Sequence, residues 1–446
     1  MYLKTQKFLI IGASKSGFAV ANYIKKEQGY CVVLEELETE KAKRAIQKLK
    51  EIGVKCVNRN FAEEGLNDYD VVVLSPGIPI NHDIAVKAKK LGKRIIGELE
   101  FAYMQFVPQI VAVTGTNGKT TTVTLINEIL NSANINNILL GNVGVPFTDK
   151  LEEVKKDTVC ITEISSFQLE SVNSFCPHVA CVLNITPDHL ERHYTMDNYV
   201  FLKKRIFKNQ RESEYLVLNY DDEIVRTFYT ETKAKIIWVS LKEKVDGAYR
   251  ENGKLFFNEE FIADENELRL KGDHNIYDVL FSVVCAKLFN VETNTIRDAL
   301  INFKGVKHRI ELVKIKNGVE FYNDSKATNT ASTISAIKTM QKPTVLILGG
   351  SEKGEDYTLL FESIKLSNVK QVVLTGMSRF NMLDVASRVG VKSVTVTEKF
   401  ECAVKIANIF AENGDAVLLS PACASFDAFS GFEERGEKFI KVVEDL

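Results

Sequence analysis

A glycine-rich loop between an apolar run and a helix-forming run constrains the fold of this chain more than any other segment. Residues 110–130 read IVAVTGTNGKTTTVTLINEIL, so a β-branched run ends at Thr114 and an amphipathic run opens near Lys119. A strand that leads through glycines into a helix brings backbone N–H groups and the positive helix N-terminus together, and that arrangement binds phosphate. The segment therefore predicts a nucleotide-binding loop in an α/β sheet.

The polar side chains of this loop are typical of a nucleoside triphosphate site. Lys119 is placed to reach the β- and γ-phosphates, and the hydroxyl of Thr120 is a suitable ligand for Mg²⁺. The loop departs from the spacing G-x-x-x-x-G-K-[ST], because only two residues separate Gly115 from Gly118. The alternative is a glycine turn that binds no phosphate. The residues predicted to bind ATP here are Gly115, Thr116, Asn117, Gly118, Lys119, Thr120 and Thr121.

Strand-like and helix-like runs alternate along the whole chain. Repeated βα units of this kind predict parallel sheets with helices on both faces. At about 150 residues per domain, a length of 446 residues suggests roughly three domains. We therefore predict an α/β protein with domains at residues 1–97, 98–304 and 305–446. Short strand-like pieces within residues 241–272 have no evident place in this scheme.

The charge balance argues against partners that are bound by a basic surface. The 57 Lys and Arg nearly match the 59 Asp and Glu, which gives a formal net charge of −2. No nucleic acid partner is therefore expected, and an anionic substrate must be held by a few placed cations, helix N-termini or metal ions. The eight cysteines are scattered, which is typical of a reducing compartment. No apolar run approaches the roughly 18 residues of a membrane helix, so we expect a cytoplasmic protein without a membrane anchor.

Polar residues follow several of the predicted strands. Glu163 follows the strand VCIT and could complete a Mg²⁺ site with Thr120, although a lone glutamate at a strand end is often only solvated. His189 follows the strand ACVLNI. His193 lies one turn further on, but no acidic residue or cysteine at zinc-ligand spacing completes a zinc site with this pair.

The last third of the chain carries a second group of polar strand ends. Asp324 and Lys326 lie in NDSKATN, where a strand ends and a helix begins, so Lys326 could hold an anion while Asp324 acts as base or orienter. Lys353, Ser425 and Phe432 follow later strands. Together these positions predict the rim of a binding pocket, whereas each residue alone could serve only to form a turn.

These segments, taken in order, resemble a known family. TGTNGKTT, GNVGVP, TEISSFQLE, NITPDHLERH, KGDHN, HRIE and NDSKATN follow one another as in the Mur ligases, ATP-dependent enzymes of peptidoglycan precursor synthesis. The resemblance extends from the first strand to the last helix. Within the family, NDSKATN, TEISSFQLE and LLSPACASFDAFSGFEERG are similar to the members that add D-glutamate to UDP-N-acetylmuramoyl-L-alanine. Folylpolyglutamate synthase shares the central motif, and a non-enzymatic nucleotide-binding protein is the other alternative.

The resemblance implies three domains, each with one substrate. These are an N-terminal Rossmann-like domain for the UDP part, a central P-loop-type ATPase domain with a mostly parallel sheet, and a C-terminal Rossmann-like domain for the amino acid. The implied UDP-sugar contacts are Ser14, Lys15, Ser16, Glu35, Ser75, Pro76, Gly77, Asn142 and His189. The first turn, Gly12 to Gly17, lacks the G-x-G-x-x-G spacing, and the family more often has aspartate where Glu35 stands.

The remaining implied residues serve ATP, D-glutamate and the metal ions. Further ATP contacts are Asn275, Arg309 and Asp324. The D-glutamate contacts are Thr328, Lys353, Ser425 and Phe432. Two Mg²⁺ sites are implied, with Thr120 and Glu163 at one and His189 and a carbamylated lysine at the other. The implied catalytic residues are Lys119, Glu163, His189, Lys203 and Lys326.

The sequence offers adjacent lysines for the carbamylated position. Lys203 stands four residues after Tyr199 and two before Arg205, which matches the family's Tyr-x-x-x-Lys-x-Arg register. Lys204 would point about 100° away around the helix. We therefore choose Lys203, with a solvated basic helix face as the alternative. The partners implied are small-molecule substrates only, and a monomer is expected.

Overall fold

A computed structural model describes residues 3–37, 39–106, 108–142, 145–352 and 356–446, without the side chains of residues 40, 41 and 191. The chain divides into two compact units. The first contains Met1–Leu268 and Asn275–Phe303, and the second contains Arg269–His274 and Lys304–Leu446. The segment Arg269–His274 thus groups with the C-terminal part of the chain, although the sequence predicted it in the central block. The three predicted domain boundaries remain predictions.

The described residues form three β-sheets of five, nine and six strands. The first sheet is parallel throughout and has the order β3-β2-β1-β4-β5. Its strands are β1 (Lys7–Ile11), β2 (Tyr30–Leu34), β3 (Lys55–Val57), β4 (Val71–Leu74) and β5 (Arg94–Gly97). The strand order reverses between β1 and β4, and ligands of open α/β sheets bind outside the carboxyl ends at such a point.

The second sheet also lies in the first unit and contains the strand before the glycine loop. Its order is β14-β13-β12-β11-β10-β9-β6-β8-β7, parallel from β7 to β12 and antiparallel beyond. Its strands are β6 (Gln109–Thr114), β7 (Asn137–Gly141), β8 (Val159–Glu163), β9 (Val179–Val182), β10 (Tyr215–Asn219), β11 (Lys235–Ser240), β12 (Gly247–Glu251), β13 (Lys254–Phe257) and β14 (Glu260–Asp264). The strand-like pieces that the sequence left unplaced therefore form the antiparallel end of this sheet.

The third sheet forms the core of the second unit. Its order is β15-β16-β20-β17-β18-β19, and only the edge pair β15–β16 is antiparallel among its described pairings. Its strands are β15 (Glu311–Lys316), β16 (Val319–Asn323), β17 (Thr344–Gly349), β18 (Val369–Thr375), β19 (Val394–Val396) and β20 (Ala416–Leu419). The predicted α/β fold with mostly parallel sheets is confirmed.

Helices connect the strands, and many begin at a residue whose side chain caps the helix. The side chain of Asn329, for example, accepts a hydrogen bond from Ser332 N over 2.8 Å at the start of one helix. Those linking the first sheet are α1 (Lys15–Lys26), α2 (Glu40–Glu51), α3 (Arg59–Glu64), α4 (Asp83–Lys90) and α5 (Glu98–Gln105). Those of the second are α6 (Lys119–Ser132), α7 (Ser166–Leu169), α8 (Leu190–His193), α9 (Met196–Lys204), α10 (Glu223–Arg226), α11 (Asp273–Leu288) and α12 (Thr293–Asn302). Those of the third are α13 (Thr330–Thr339), α14 (Thr358–Lys365), α15 (Arg379–Val389), α16 (Phe400–Phe410) and α17 (Phe432–Glu444).

The central strands, such as β4, β8, β9, β17 and β20, are buried along their whole length, as their continuous apolar runs require, whereas edge strands such as β15 are partly exposed. Separate apolar clusters fill the two faces of the first and third sheets. Within the described part of the chain, no helix has both the length and the apolar character needed to cross a membrane. Because most of the strands are parallel, the loops after neighbouring strands lie at the same edge of each sheet, where ligands of α/β proteins bind.

Candidate active site

The glycine loop lies at the edge where β6, β8 and β9 end side by side. Val113 of β6 pairs with Glu163 of β8, and Thr114 pairs with Val182 of β9. Gly118 has φ +88°, a left-handed conformation in which a side chain is strained. A Cβ there would also overlap Oδ1 of Asp278. The sequence folds into this tight turn before α6 because glycine occupies that position.

Asn184, in the loop after β9, supports the glycine loop from one side. Thr116 N donates to the carbonyl of Asn184 over 3.0 Å, and Asn117 N donates to Oδ1 of Asn184 over 2.9 Å. Lys119 folds over the same loop, where its Nζ donates to the carbonyls of Gly115 and Thr116 at 2.8 and 2.7 Å. The ammonium of Lys119 is therefore held at the loop where phosphate was predicted to bind.

Glu163 lies beside this loop at the carboxyl end of β8, with only 2% of its surface exposed. Thr120 Oγ1 donates to Oε2 of Glu163 over 2.7 Å, and Asn142 Nδ2 donates to Oε1 over 2.8 Å. The structure thus brings together the hydroxyl and the carboxylate that the sequence predicted for one Mg²⁺ site. Hydroxyl and carboxylate oxygens are the hard donors that Mg²⁺ prefers, so the residues present fit the ion.

Lys203 projects from α9 into the interior, whereas Lys204 lies at the surface. Lys203 is 1% exposed, and its Nζ donates to the carbonyl of Gly115 over 2.8 Å. Burial, assisted by the nearby charge of Lys119, holds the pKa of Lys203 well below its ordinary value. Lys204 instead pairs with Glu231. The inward direction of Lys203 agrees with the helical register used to choose it, and its carbamylation remains a prediction.

The two histidines of DHLERH have different environments. His189 has φ +52° and precedes α8, and 42% of its side chain is exposed. Its ring lies 4.8 Å from that of Phe167, measured between centroids. His193 is buried, its Nε2 lies 2.9 Å from Ser166 Oγ, and burial lowers its pKa. The described residues contain no group of three or more His, Cys, Asp and Glu side chains placed to hold a metal ion.

Seven of the nine predicted UDP-sugar contacts follow β1, β2 and β4 of the first sheet, around its switch point. Ser75 is buried, and its Oγ donates to the carbonyl of Gly12 over 2.9 Å. Glu35 accepts a hydrogen bond from Ala13 N over 2.7 Å, so this carboxylate braces the first turn. The exposed positions around this turn are Ser14, Lys15 and Gly77, with Ser16 and Pro76 partly buried. Asn142 is exposed beside Glu163, and Asn275 is buried in the first turn of α11.

In the second unit, Asp324 is buried where β16, β20 and β17 end side by side. Ser420 Oγ donates to its Oδ2 over 2.6 Å, and Ile310 N donates to its Oδ1 over 3.3 Å. Burial raises the pKa of Asp324 to about 7, against the opposing effects of these bonds and of Arg309. This carboxylate therefore links the loop after β16 to the loop after β20 and to the segment before β15, and it is also a candidate nucleotide contact.

The other predicted residues of this unit border the same strand ends. Lys326 Nζ lies 5.4 Å from the ring centroid of Phe432, within the range of a cation–π contact. Thr328 and Arg309 are partly buried, and Ser425 is buried. Lys353 lies outside the described residues.

The sequence interpretation missed Arg435, which lies in the quoted segment FEERG. Arg435 is 2% exposed, and its guanidinium donates to Ser325 Oγ and Ser325 O, at 3.0 and 2.8 Å, and to Ala424 O at 3.3 Å. Burial lowers the pKa of Arg435 to about 10. It therefore ties the loop after β16 to the loop after β20. The only signal for Arg435 in the sequence is that a basic residue stands in the first turn of α17, where acidic residues such as Glu433 and Glu434 are usual.

The chain matches family models along most of its length. The description "Mur ligase MurD-like, N-terminal domain" matches residues 6–97, "Mur ligase middle domain" matches 113–286, and "Mur ligase, glutamate ligase domain" matches 308–423. The chain belongs to the Mur ligase family. The resemblance inferred from the motifs is confirmed.

Curated relatives of this Mur ligase cover its full length. A protein of Thermoanaerobacter sp. (strain X514) named UDP-N-acetylmuramoylalanine--D-glutamate ligase is 39% identical over 455 residues, which is 100% of both chains. A protein of the same name from Clostridioides difficile (strain 630) is 38% identical over 452 residues, again 100% of both.

Solved structures show the same fold at low sequence identity. The UDP-N-acetylmuramate-alanine ligase MurC of Thermotoga maritima superposes with a TM-score of 0.62 at 17% identity, covering 99% of each chain. The MurF ligase of Thermotoga maritima, solved in complex with ADP, has a TM-score of 0.62 at 15% identity, covering 100% of this Mur ligase and 99% of that chain.

Proposed function

We propose that this Mur ligase uses ATP to join D-glutamate to UDP-N-acetylmuramoyl-L-alanine in peptidoglycan precursor synthesis, releasing ADP and phosphate. The observation that carries the proposal is the full-length similarity, at 39% identity, to relatives named for this reaction. The terminal carboxylate of the L-alanine arm attacks the γ-phosphorus of ATP, the bond between this phosphorus and the bridging oxygen breaks, and ADP leaves as the acyl phosphate forms. The amine of D-glutamate then attacks the acyl carbon, and phosphate leaves as the amide forms.

Positioning and charge neutralisation supply most of the catalysis in phosphoryl transfer. Lys119 and the N-terminus of α6 serve this purpose, since both lie at the glycine loop. Lys326 adds a second cation, and Asn275, Arg309 and Asp324 serve as further nucleotide contacts. The carbonyls that accept from Lys119 belong to the loop itself, so its ammonium lies where the phosphates are proposed to bind.

Thr120 and Glu163 would hold one Mg²⁺, and His189 with Lys203 as a carbamate would hold a second. When bound, Mg²⁺ would neutralise charge on the phosphate oxygens. The amine of Lys203 suits carbamylation, because burial lowers its pKa and so favours the uncharged, nucleophilic form. The amine nitrogen bonds to the carbon of CO₂ and loses a proton, which converts a cation donor into an anionic oxygen ligand.

The two amino-acid-bearing substrates are assigned to the other strand ends. Ser14, Lys15, Ser16, Glu35, Ser75, Pro76, Gly77, Asn142 and His189 are assigned to the UDP-sugar. Thr328, Lys353, Ser425 and Phe432 are assigned to D-glutamate, with Lys353 as the partner of a carboxylate. The enzyme acts on small molecules as a monomer in the cytoplasm.

An acceptor panel tests this proposal. ADP release is measured with ATP and Mg²⁺ in the presence of UDP-N-acetylmuramoyl-L-alanine and, in turn, D-glutamate, L-glutamate, L-alanine or diaminopimelate. The same assay is run with UDP-N-acetylmuramate and L-alanine, and with a folate acceptor and L-glutamate. We expect turnover with D-glutamate alone. Turnover only with L-alanine on UDP-N-acetylmuramate would exclude the D-glutamate assignment. Release that requires a folate acceptor would indicate a folylpolyglutamate synthase-like ligase, and ATP binding without ADP release would indicate a nucleotide-binding protein.

A further inference from the structure

Arg192 and Glu170 form a largely buried ion pair between two of the motif segments. Arg192 Nε donates to Glu170 Oε1 over 2.9 Å, and Arg192 Nη2 donates to Oε2 over 2.7 Å. Only 16% of the Arg192 side chain and 8% of the Glu170 side chain are exposed. A two-point contact of this kind fixes the plane of the guanidinium, which a single-point ion pair does not.

The same two side chains hold the segment that follows β4 in the first sheet. Arg192 Nη1 donates to the carbonyl of Gly77 over 3.0 Å, and Arg192 Nη2 donates to that of Ile78 over 3.3 Å. Glu170 Oε2 accepts a hydrogen bond from Ile80 N over 3.4 Å. Residues 77–80 are therefore attached through one ion pair to the end of α7 and to α8, and Gly77 is among the residues assigned to the UDP-sugar.

Phe167 connects this pair to His189. The guanidinium carbon of Arg192 lies 4.4 Å from the centroid of the Phe167 ring. The ring of His189 lies 4.8 Å from the same ring, between centroids. A rotation of the guanidinium plane would therefore shift the ring of Phe167, and with it the imidazole ring of His189 that packs against Phe167.

We propose that Arg192 is a positioning residue that couples the loop after β4, at the UDP-sugar site, to the orientation of His189. This inference rests on the proposed function, because it assumes that the loop binds the UDP-sugar. Lysine cannot replace the arginine, since one ammonium cannot reach both carboxylate oxygens and both carbonyls. Asn184, and not Arg192, holds the backbone of Thr116 and Asn117 in the ATP loop, so we expect an Arg192 variant to affect the KM for the UDP-sugar more than the KM for ATP.

Arg192→Lys and Glu170→Gln test the coupling, with Arg388→Lys as control because Arg388 forms an exposed pair with Asp384. KM for UDP-N-acetylmuramoyl-L-alanine, KM for ATP, kcat and the thermal unfolding midpoint are measured for each. We expect Arg192→Lys to raise KM for the UDP-sugar about 10-fold or more, with KM for ATP changed by less than about 2-fold. Glu170→Gln should act in the same direction with a smaller effect, and Arg388→Lys should match the wild type.

The double variant Arg192→Lys/Glu170→Gln separates coupling from independent effects. We expect its KM for the UDP-sugar to rise less than the product of the two single increases, because both changes break one contact. An active Arg192→Lys enzyme with unaltered KM for the UDP-sugar overturns the inference. If the KM for the UDP-sugar and the KM for ATP rise equally, or if both single variants unfold, the ion pair serves only general stability. Either result also overturns the inference. A wild-type protein that neither binds nor turns over the UDP-sugar overturns the proposed function and this inference with it.

Discussion

Lys203 Nζ donates a hydrogen bond to the carbonyl of Gly115 across 2.8 Å, inside the sheet edge that carries the glycine loop. A lysine at 1% exposure is uncommon unless its amine has a defined use, because burying the ammonium is costly. The contact joins α9 directly to the loop after β6. It places the candidate carbamate next to the candidate phosphate site.

Replacing Lys203 by arginine should abolish most of the activity. Arginine stays protonated and forms no carbamate, so we expect kcat to fall about 100-fold or more. The neighbouring variant Lys204→Arg is the control, because Lys204 lies at the surface beside Glu231. Protein equilibrated with ¹³C-bicarbonate should show a carbamate carbon signal by NMR that Lys203→Arg lacks. A signal that persists in Lys203→Arg and disappears in Lys204→Arg would move the modification to Lys204.

Thr120→Val should impair magnesium-dependent turnover, and it should cost about 1–3 kcal/mol of stability because the buried Oε2 of Glu163 loses a donor. Valine has nearly the shape of threonine but cannot donate to Glu163 or ligate a cation through an oxygen. We expect kcat at moderate Mg²⁺ to fall about 100-fold and half-saturation to require more Mg²⁺. Thr120→Ser keeps the hydroxyl and should remain close to the wild type. Equal Mg²⁺ titration curves for the valine and serine variants would remove Thr120 from the metal site.

Asp324 should make the stability of the protein fall as the pH rises towards 7. Its folded pKa of about 7 lies above the ordinary aspartate value of 3.8, so the folded state binds the proton more tightly than the unfolded state. Its contribution is complete below pH 3.8 and is lost as the pH rises through 7, with a slope of ~1.4 kcal/mol per pH unit at most. The unfolding midpoint of Asp324→Asn, compared with wild type, should therefore become relatively higher between pH 5 and about 7. A difference that does not vary with pH would contradict the raised pKa.

Arg435→Lys should destabilise the second unit. The lysine cannot satisfy Ser325 and Ala424 together, and each buried polar group left without a partner costs about 1–3 kcal/mol. Lys438→Arg is the control on the same helix, since Lys438 forms a partly exposed pair with Glu401 and should change stability by less than ~0.5 kcal/mol. Urea unfolding of the full chain measures both variants. Equal stability of the two would show that the buried guanidinium is not required.

Much of the candidate site can be predicted from local sequence patterns. The strand, the glycines and the helix start around Gly118 are adjacent in the chain, so their spacing alone predicts the loop. The direction of Lys203 also follows from local geometry, because a helix turns by about 100° per residue and only one of two neighbouring lysines can face inward. The antiparallel end of the second sheet is harder to predict from the sequence, since its short strands lack a distinctive hydrophobic periodicity.

Other features depend on groups that are distant in the sequence. Arg192 meets the carbonyl of Gly77 across 115 positions, and no periodicity links the two. The pKa shifts of Lys203 and Asp324 arise from removal of water by packed strands and helices, which requires the assembled domain. Arg435 resembles any charged residue of an amphipathic helix until α17 packs against the loops after β16 and β20. Residue types and local periods therefore predict which elements form and which chemistry is available, whereas burial and long-range hydrogen bonds depend on how the elements pack.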